Sequence, residues 1–264
     1  MKRRIMIDLI KISWKYRQYI LFAAKAELKA QVADSYLNWL WWVLDPLLFM
    51  GIYSFVSIVV FQRKEPYFPV FCFIGLSIWN FFGKSMNQCV RLIRARREII
   101  SKVYVPKYVL IFVILAENAF KLGISMILVF LLMACYTIPV SISILFLIPL
   151  FVLLTLVTFA FCELVMHYGV YLEDLSNLQD AGMRFLFYLS GVFYNLRERV
   201  PIYGVLLISV NPIAGIIECA REILIYQRVT LKKGLVIWIF LAIIISCIGS
   251  RKIRNHEDEY VKVI

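Results

Sequence analysis

Six long apolar runs constrain this chain more than any other feature of its sequence. A helix rises about 1.5 Å per residue and the hydrocarbon core of a bilayer is about 30 Å thick, so a spanning helix needs roughly 20 mainly apolar residues. The runs of sufficient length are 38–61, 68–90, 108–135, 142–166, 181–196 and 234–250. With 62% hydrophobic residues, the chain is too apolar for a soluble domain. We therefore predict an all-α integral membrane protein with six transmembrane helices, although the shorter fifth and sixth runs leave five or seven spans open.

The basic residues predict how the chain is oriented. If the N-terminus is inside, eighteen lysines and arginines lie on the inner side, in 1–37, 91–107 and 251–264, against eight on the outer side. Cytoplasmic loops of membrane proteins are enriched in these residues, so we expect both termini in the cytoplasm. The same loops account for the net charge of +12, which therefore favours anionic lipid over nucleic acid as a partner. No cleavable signal peptide is evident in 1–29, so the first span is expected to act as the insertion signal.

A single domain is predicted over 1–264, with a membrane region, 38–250, between two inner-side segments. Segment 1–37 is predicted to contain an amphipathic interface helix, because apolar residues in 19–32, Phe22 among them, are opposed by Lys25 and Lys29. An ordinary positive flank of the first span is the alternative. The tail, 251–264, is expected to be polar and solvated.

The most distinctive inner segment is the loop at 91–107. It has the sequence RLIRARREIISKVYVPK and stands between two apolar runs. We predict a short, charged, helical element here, placed where a cytoplasmic partner can push on it. A loop that is merely positive is the alternative.

Two polar features interrupt the apolar pattern. Glu117 and Lys121 stand four residues apart in the third run, a spacing at which side chains pair on one helix face, and pairing offsets the cost of burying each charge in a membrane. Asn211 and Pro212 predict a helix start, with Asn as the N-cap and Pro at the first helical position. Because the apolar run before them is too short to cross, we predict that 199–226 forms two short re-entrant helices on the outer face.

No catalytic or metal-binding constellation is evident in the sequence. The histidines, His167 and His256, are far apart along the chain. The segment Gly83-Lys84-Ser85 matches the end of a phosphate-binding loop, but Ile78 stands where that motif needs a glycine. We therefore expect no enzyme activity, no metal and no cofactor on this chain.

Five short motifs follow one another along the chain: Glu27-Leu28-Lys29 with Ser35, Leu37, Trp41 and Pro46; FCFIGLSIWNFF at 71–82; KVYVPK at 102–107; Val170-Tyr171 with Asp174; and Asn211-Pro212 leading to Arg221. Together they resemble the permease subunit of type-2 ABC exporters, in the branch that exports polysaccharide, O-antigen, capsule and teichoic acid. The chain departs from the family pattern at Glu173, where the family has an arginine. It also departs at Ala26, Gln31 and Asn38, where the family carries more Arg and a Gly.

The resemblance implies a function and a set of partners. A chain of this family forms a homodimer in the bacterial cytoplasmic membrane and binds two copies of a separate ATPase, which carries the ATP and Mg²⁺. It exports a lipid-linked glycan through a channel at the dimer axis, in contact with membrane lipid.

The resemblance also implies roles for individual residues. The expected ATPase-coupling residues are Arg97, Glu98, Ile99, Lys102, Tyr104 and Pro106. The interface helix presents Lys25, Glu27 and Lys29. The candidates for the channel lining are Tyr53, Phe185, Tyr188 and Tyr194, for which packing against lipid or protein is the alternative. The expected outer gate contains Asn211, Pro212, Glu218 and Arg221.

Other functions remain open at this point. A type-2 ABC exporter of a small lipid or drug shares the same scaffold. An ion-coupled secondary transporter needs charges at mid-membrane, for which Glu117 and Lys121 are the candidates. A membrane-embedded enzyme would need paired carboxylates or a His/Asp set at a membrane face, and neither is evident.

Overall fold

The computed structural model describes residues 11–33, 40–60, 67–102, 104–200, 202–229, 233–257 and 259–260. Within these ranges every regular element is helical, which confirms the all-α prediction. The motif residues Ser35, Leu37 and Asn38 lie outside the described residues. The helices are α1 Arg17–Val32, α2 Trp41–Phe55, α3 Phe68–Val90, α4 Leu92–Ala95, α5 Arg97–Lys102, α6 Lys107–Cys135, α7 Leu147–Tyr171, α8 Leu175–Leu189, α9 Leu196–Arg199, α10 Gly204–Val210, α11 Pro212–Leu224 and α12 Lys233–His256.

Four helical segments are long and apolar enough to cross a membrane: Trp41–Val59, Lys107–Cys135, Ile142–Tyr171 and Lys233–His256. The first includes the π-helical extension of α2, and the third includes a 3-10 turn before α7. A fifth span results if α10 and α11 are counted together. The chain is thus a multi-pass membrane protein, but the predicted count of six spans is not confirmed.

Helix α3 has the same first and last residues as the second predicted run, 68–90, and it lies at the centre of the bundle. It packs against α2, α6, α7, α8 and α11. Most of its side chains are buried, including polar Ser77 and Ser85. Some of its polar side chains bond to neighbouring helices, as Lys84 does to Asp45 of α2 and Asn87 to Gln179 of α8. Helix α3 is therefore less uniformly apolar than the four segments above.

Helix α8 differs from the fifth predicted run. We expected 181–196, whereas the helix covers Leu175–Leu189 and its 15 residues rise only about 22 Å. Gly191 ends the helical region with a φ of +63°, and a Cβ there would lie 2.7 Å from the Leu196 side chain. Since only glycine fits this left-handed, crowded position, the apolar run continues as a turn instead of a helix.

The predicted pair of short helices in 199–226 is present as α10 and α11, whose axes are bent by 107° at Asn211. The Asn211 Oδ1 atom accepts hydrogen bonds from the backbone N–H groups of Ile213 at 3.0 Å and Ala214 at 3.3 Å. With Pro212 at the first helical position, this confirms the predicted helix start. The re-entrant path through a membrane stays a prediction.

Helix α1 lies along α6, and its apolar side chains Leu21 and Phe22 are exposed outside that contact. Its buried residues are Ala24, Leu28 and Val32, one turn apart. Phe22, predicted to belong to the apolar face, is 75% exposed. Two members of the predicted apolar face, Leu28 and Val32, thus pack on protein, and contact of the helix with lipid stays a prediction.

Candidate functional site: an aromatic groove between a basic end and a clamped end

The bundle has two ends that differ in chemistry. We call the end where α3 stops at Val90 and α6 starts at Lys107 the basic end, because 91–107 carries six basic residues. The opposite end, where α3 starts at Phe68 and α6 stops at Cys135, carries the α10–α11 pair. The candidate functional residues fall into three groups: one at each end and one in the groove between them.

At the basic end, ion pairs hold the loop between α3 and α6 to its neighbours. Arg96 pairs with Glu27 of α1 at 2.9 Å, which connects the predicted interface helix to the loop. Arg94 pairs with Glu173 at 3.2 Å and donates to the Val170 carbonyl at 3.2 Å. Glu173, which replaces the family arginine, is therefore the anionic partner of a loop arginine.

The predicted coupling residues lie at this end. Arg97, Glu98 and Lys102 are exposed, and Tyr104 is 70% exposed. Pro106 is buried directly before α6, and the side chain of Ile99 lies outside the described residues. In α1, Lys25 and Lys29 are exposed while Glu27 is occupied by Arg96. Whether these residues contact an ATPase stays a prediction.

The C-terminal tail also contacts the loop through Glu257, which is half-buried, while Glu259 of the predicted solvated run is exposed. The Glu257 carboxylate accepts from the Lys107 backbone N–H at 3.1 Å and from the Tyr104 hydroxyl at 3.5 Å. Three residues on, Tyr260 is fully buried and its hydroxyl lies 2.7 Å from Nδ1 of His167. Burial raises the pKa of Tyr260, so its hydroxyl stays protonated in this contact. This anchor was not predictable from the sequence, because its members lie about 90 to 150 residues apart.

Replacing Glu257 with alanine is expected to loosen the junction between the loop and α6. The loss of a carboxylate that accepts from the first N–H of a helix costs about 1 kcal/mol, so amide exchange over 104–110 should quicken roughly fivefold. Hydrogen–deuterium exchange with mass spectrometry measures this directly. The Glu259→Ala variant is the matched control, since Glu259 accepts from Tyr171 and not from the loop. Equal exchange at 104–110 in both variants would show that Glu257 does not anchor the loop.

A polar cluster on α6 connects α1, α3 and α6. Lys121 Nζ lies 2.8 Å from Oε1 of Glu117, as the four-residue spacing predicted. The same Glu117 oxygen accepts from the amides of Gln31 at 2.7 Å and Gln88 at 3.2 Å. Glu117 is 2% exposed, so the carboxylate is enclosed by donors from three helices.

Between the two ends, a groove of about 650 Å³ runs between α2, α3 and α8. Two of the four predicted lining residues, Tyr53 and Tyr188, line it. Phe185 is 67% exposed and is not among the lining residues, and Tyr194 donates its hydroxyl to the Tyr188 carbonyl. The sequence analysis missed the other aromatic residues of the groove, which are Phe49, Trp79 and Phe187.

The aromatic rings of the groove contact one another. Tyr53 stacks on Phe193 with ring centroids 3.7 Å apart, and Phe49 extends the stack with a centroid 6.4 Å from Tyr53. Phe187 lies 5.3 Å from Trp79 and 5.2 Å from Phe193. These contacts form one continuous aromatic surface across three segments of the bundle.

Charged residues occupy the side of the groove nearer the basic end. Asp45 and Lys84 lie 3.7 Å apart and are each about half exposed. Asp180 and Arg184 of α8 also line the groove, and Asp180 pairs with Arg91 at 3.4 Å. The groove is thus amphipathic, with ring faces along its length and paired charges at one side.

At the opposite end, Arg221 acts as an internal clamp rather than as a polar surface residue. Its side chain is 2% exposed and its guanidinium lies 3.4 Å from the Phe71 ring centroid. It donates to the backbone oxygens of Phe71 at 3.1 Å, Gly191 at 2.8 Å and Val192. Arg221 therefore fixes the turn that carries Phe193 into the aromatic stack.

The other predicted gate residues lie around this clamp. Glu218 pairs with Arg197 at 3.5 Å, and Glu222 lies 3.6 Å from the same arginine. Asn211 caps α11 and donates to the Ser190 hydroxyl at 2.9 Å. These contacts tie α9 and α11 to the turn after α8, while a gating role stays a prediction.

Among the described residues, no group of three or more His, Cys, Asp or Glu side chains is arranged to hold a metal ion.

Comparison with known proteins matches most of the chain to one protein family. The model of the ABC-2 type transporter family matches residues 18–225. The O-antigen export system permease protein RfbA of Myxococcus xanthus is 26% identical over 262 residues, covering 98% of this chain and 100% of that protein. A protein of the same description from Klebsiella pneumoniae is 27% identical over 261 residues, covering 96% and 99%. A second Klebsiella pneumoniae relative is 27% identical over 200 residues, covering 75% and 76%.

Proposed function

The chain belongs to the ABC-2 type transporter family, and we propose that it is the channel-forming permease subunit of an ATP-driven exporter. The proposed cargo is a lipid-linked polysaccharide, such as an O-antigen, capsule glycan or teichoic acid, moved across the bacterial cytoplasmic membrane. Hydrolysis of ATP with Mg²⁺ is assigned to a separate ATPase subunit, so this chain has no catalytic site or cofactor of its own. The O-antigen export permeases to which it is similar along its whole length support this cargo class.

The aromatic groove is the observation that carries the proposal. Sugar rings expose C–H groups on their faces, and these faces stack on aromatic rings without fixed hydrogen-bond geometry. A row of rings such as Phe49, Tyr53 and Phe187 therefore tolerates a glycan that slides from one ring to the next. The paired charges at one side provide hydrogen-bonding groups for hydroxyls without binding any one of them tightly.

A second copy of the chain is the proposed opposite wall of this groove. Helix α2 exposes large apolar side chains on the face next to the groove, with Phe49, Ile52 and Phe55 between 50% and 62% exposed. A homodimer that covered this face would close two such grooves into one central path. Exposed apolar surface of this extent is expected to be covered by protein or lipid.

The basic end is the proposed cytoplasmic side and the binding face for two ATPase subunits. Lys and Arg are concentrated there, as in cytoplasmic loops generally. Exposed Tyr104 and Glu98 offer contacts, and the Arg96–Glu27 ion pair passes a displacement of the loop to α1. The polar cluster around Glu117 then connects α1 to α6. ATP-driven movement of the loop would reach the helices through these two polar links.

Export assays on groove variants test the proposal. The chain is expressed together with the ATPase that copurifies with it, and glycan at the cell surface is quantified. Tyr53→Ala removes a ring from the stack with Phe193, so we expect export to fall about fivefold to tenfold, whereas Tyr53→Phe keeps the ring and most of the activity. Phe240→Ala, a change at an exposed ring on α12, is the matched control and should export normally.

Two outcomes would contradict the proposal. Glycan export that continues after the partner ATPase is inactivated would exclude an ATP-driven exporter. Equal export by Tyr53→Ala and Phe240→Ala would remove the groove from the glycan path. Surface amounts of each variant, measured by tag labelling, separate these results from a loss of folded protein.

A further inference from the structure

A second cavity, of about 290 Å³, lies beside the groove, enclosed by the end of α1 and by α2, α3 and α6. We call it the side pocket. It shares Asp45, Asn80 and Lys84 with the groove but extends behind α2, away from the aromatic row. The lining residues used below are Gln31, Trp41, Trp42, Asn118, Lys121 and Ser125.

The side pocket lies toward the basic end of the bundle. Trp41 and Trp42 start α2, and Lys84 stands six residues before the end of α3 at Val90, a rise of about 9 Å. Lys121 is the middle residue of α6, which extends beyond α3 at this end. A lipid in the leaflet at the basic end would have its polar part on this side of the pocket.

Buried polar atoms in the pocket need hydrogen-bond partners, and one acceptor atom, the side-chain oxygen of Asn118, has none among the described residues. The Asn118 side chain is 2% exposed, and its Nδ2 donates to Ser85 at 3.0 Å and Gln88 at 2.7 Å. Its Oδ1 atom has no hydrogen-bond partner among the described residues. An unpaired buried acceptor is costly, so a hydrogen-bond donor that enters the pocket gains this interaction.

The charges of the pocket are already paired. Lys84 lies against Asp45, and Lys121 lies against Glu117 and donates to Gln31 at 2.7 Å. The pocket therefore has no surplus positive charge with which to select a phosphate. Its remaining groups are amides, serine hydroxyls and the indoles of Trp41 and Trp42, which suit a neutral ring with hydroxyls at its edge and C–H groups on its faces.

We propose that the side pocket binds one sugar ring of a lipid-linked glycan while its lipid remains in the leaflet at the basic end. The inference rests on the proposed function for the class of ligand, but it assigns a site separate from the aromatic groove. A sugar hydroxyl donates to Asn118 Oδ1, and the ring lies against the indole of Trp42. From this position the shared residues Asp45 and Lys84 lead directly into the groove.

Tryptophan fluorescence of the full chain in phosphatidylcholine nanodiscs tests the side pocket. The probes are octyl glycosides of glucose, galactose, mannose and N-acetylglucosamine, added below their micellar concentrations. At least one glycoside is expected to change the emission saturably through Trp41 and Trp42. Ser125→Phe fills the pocket and should weaken that binding at least about tenfold. Cys135→Phe, at an exposed position on the same helix, should leave it unchanged.

Further variants and lipids separate the outcomes. Trp42→Ala removes the stacking surface without adding bulk, so weaker glycoside binding by this variant supports the site even if Ser125→Phe folds poorly. Glycoside binding that is unaffected by both variants overturns the proposal, as does the absence of binding by any glycoside. Nanodiscs that contain phosphatidylethanolamine test a phospholipid headgroup as the occupant, and a fluorescence change with this lipid alone also overturns it. If the wild-type protein exports glycan but binds no glycoside, the side-pocket proposal fails and the proposed function stands. If it binds a glycoside but shows no ATP-dependent export, the proposed function fails and the side pocket stands.

Discussion

The Arg221→Leu variant is expected to lose at least about 3 kcal/mol of stability. The guanidinium is buried and donates to three backbone oxygens, those of Phe71, Gly191 and Val192. Leaving one buried acceptor unpaired costs about 1–3 kcal/mol, and here three acceptors lose a donor at once. Thermal unfolding of the detergent-solubilised protein, followed by size-exclusion chromatography, measures the loss.

Two controls isolate the clamp from general effects of removing a charge. Arg251→Leu removes an exposed arginine from α12 and should unfold close to the wild-type temperature. Arg221→Lys keeps the charge but not the forked geometry, so an intermediate stability is expected. If Arg221→Leu and Arg251→Leu unfold at the same temperature, the three carbonyl contacts do not hold this end of the bundle together.

Substitution of Arg221 should also disturb the aromatic groove. Arg221 holds the Gly191–Val192 turn, and the next residue, Phe193, stacks on Tyr53. We therefore expect the folded fraction of the Arg221→Lys variant to export less glycan per folded molecule than the wild-type protein does. The clamp thus connects the α10–α11 pair to the ring surface on which the proposed glycan moves.

The sequence predicted the features that depend on composition and local spacing. Helix α3 matches the run 68–90 because Tyr67 has a left-handed backbone before it and a proline occupies its first turn. The Glu117–Lys121 pair and the Asn211 cap were predictable for the same reason, since their partners stand two to four residues apart. Such features need no knowledge of the tertiary packing.

The features that sequence analysis missed depend on contacts between distant segments. Arg221 was assigned to the outer gate with Glu218, yet its acceptors lie about 30 and 150 residues away and turn it inward. Trp79 and Phe187 share no periodic pattern, and only the packing of α8 on α3 brings them together. Leu28 and Val32 are buried while Phe22 is exposed, because the apolar pattern of α1 does not tell which of its residues α6 covers.

The second large effect is expected at the polar cluster on α6, where Lys121→Met should cost about 3–5 kcal/mol. This change leaves the Glu117 carboxylate, which is 2% exposed, without its cation, and an unpaired buried charge is costly. The amides of Gln31 and Gln88 still donate to it but carry no charge. The thermal unfolding temperature of the purified variant reports the cost.

A double-mutant cycle tells whether the pair is structural or functional. Glu117→Gln should cost only about 1–2 kcal/mol, because Lys121 is 20% exposed and its ammonium can turn toward water. The double variant should recover most of the loss caused by Lys121→Met, since no buried charge is left unpaired. For a structural pair, ATP-dependent export by the double variant recovers together with its stability. If stability returns while export stays absent, the Glu117 and Lys121 charges take part in transport itself, and ion-coupled movement of the cargo becomes the better explanation.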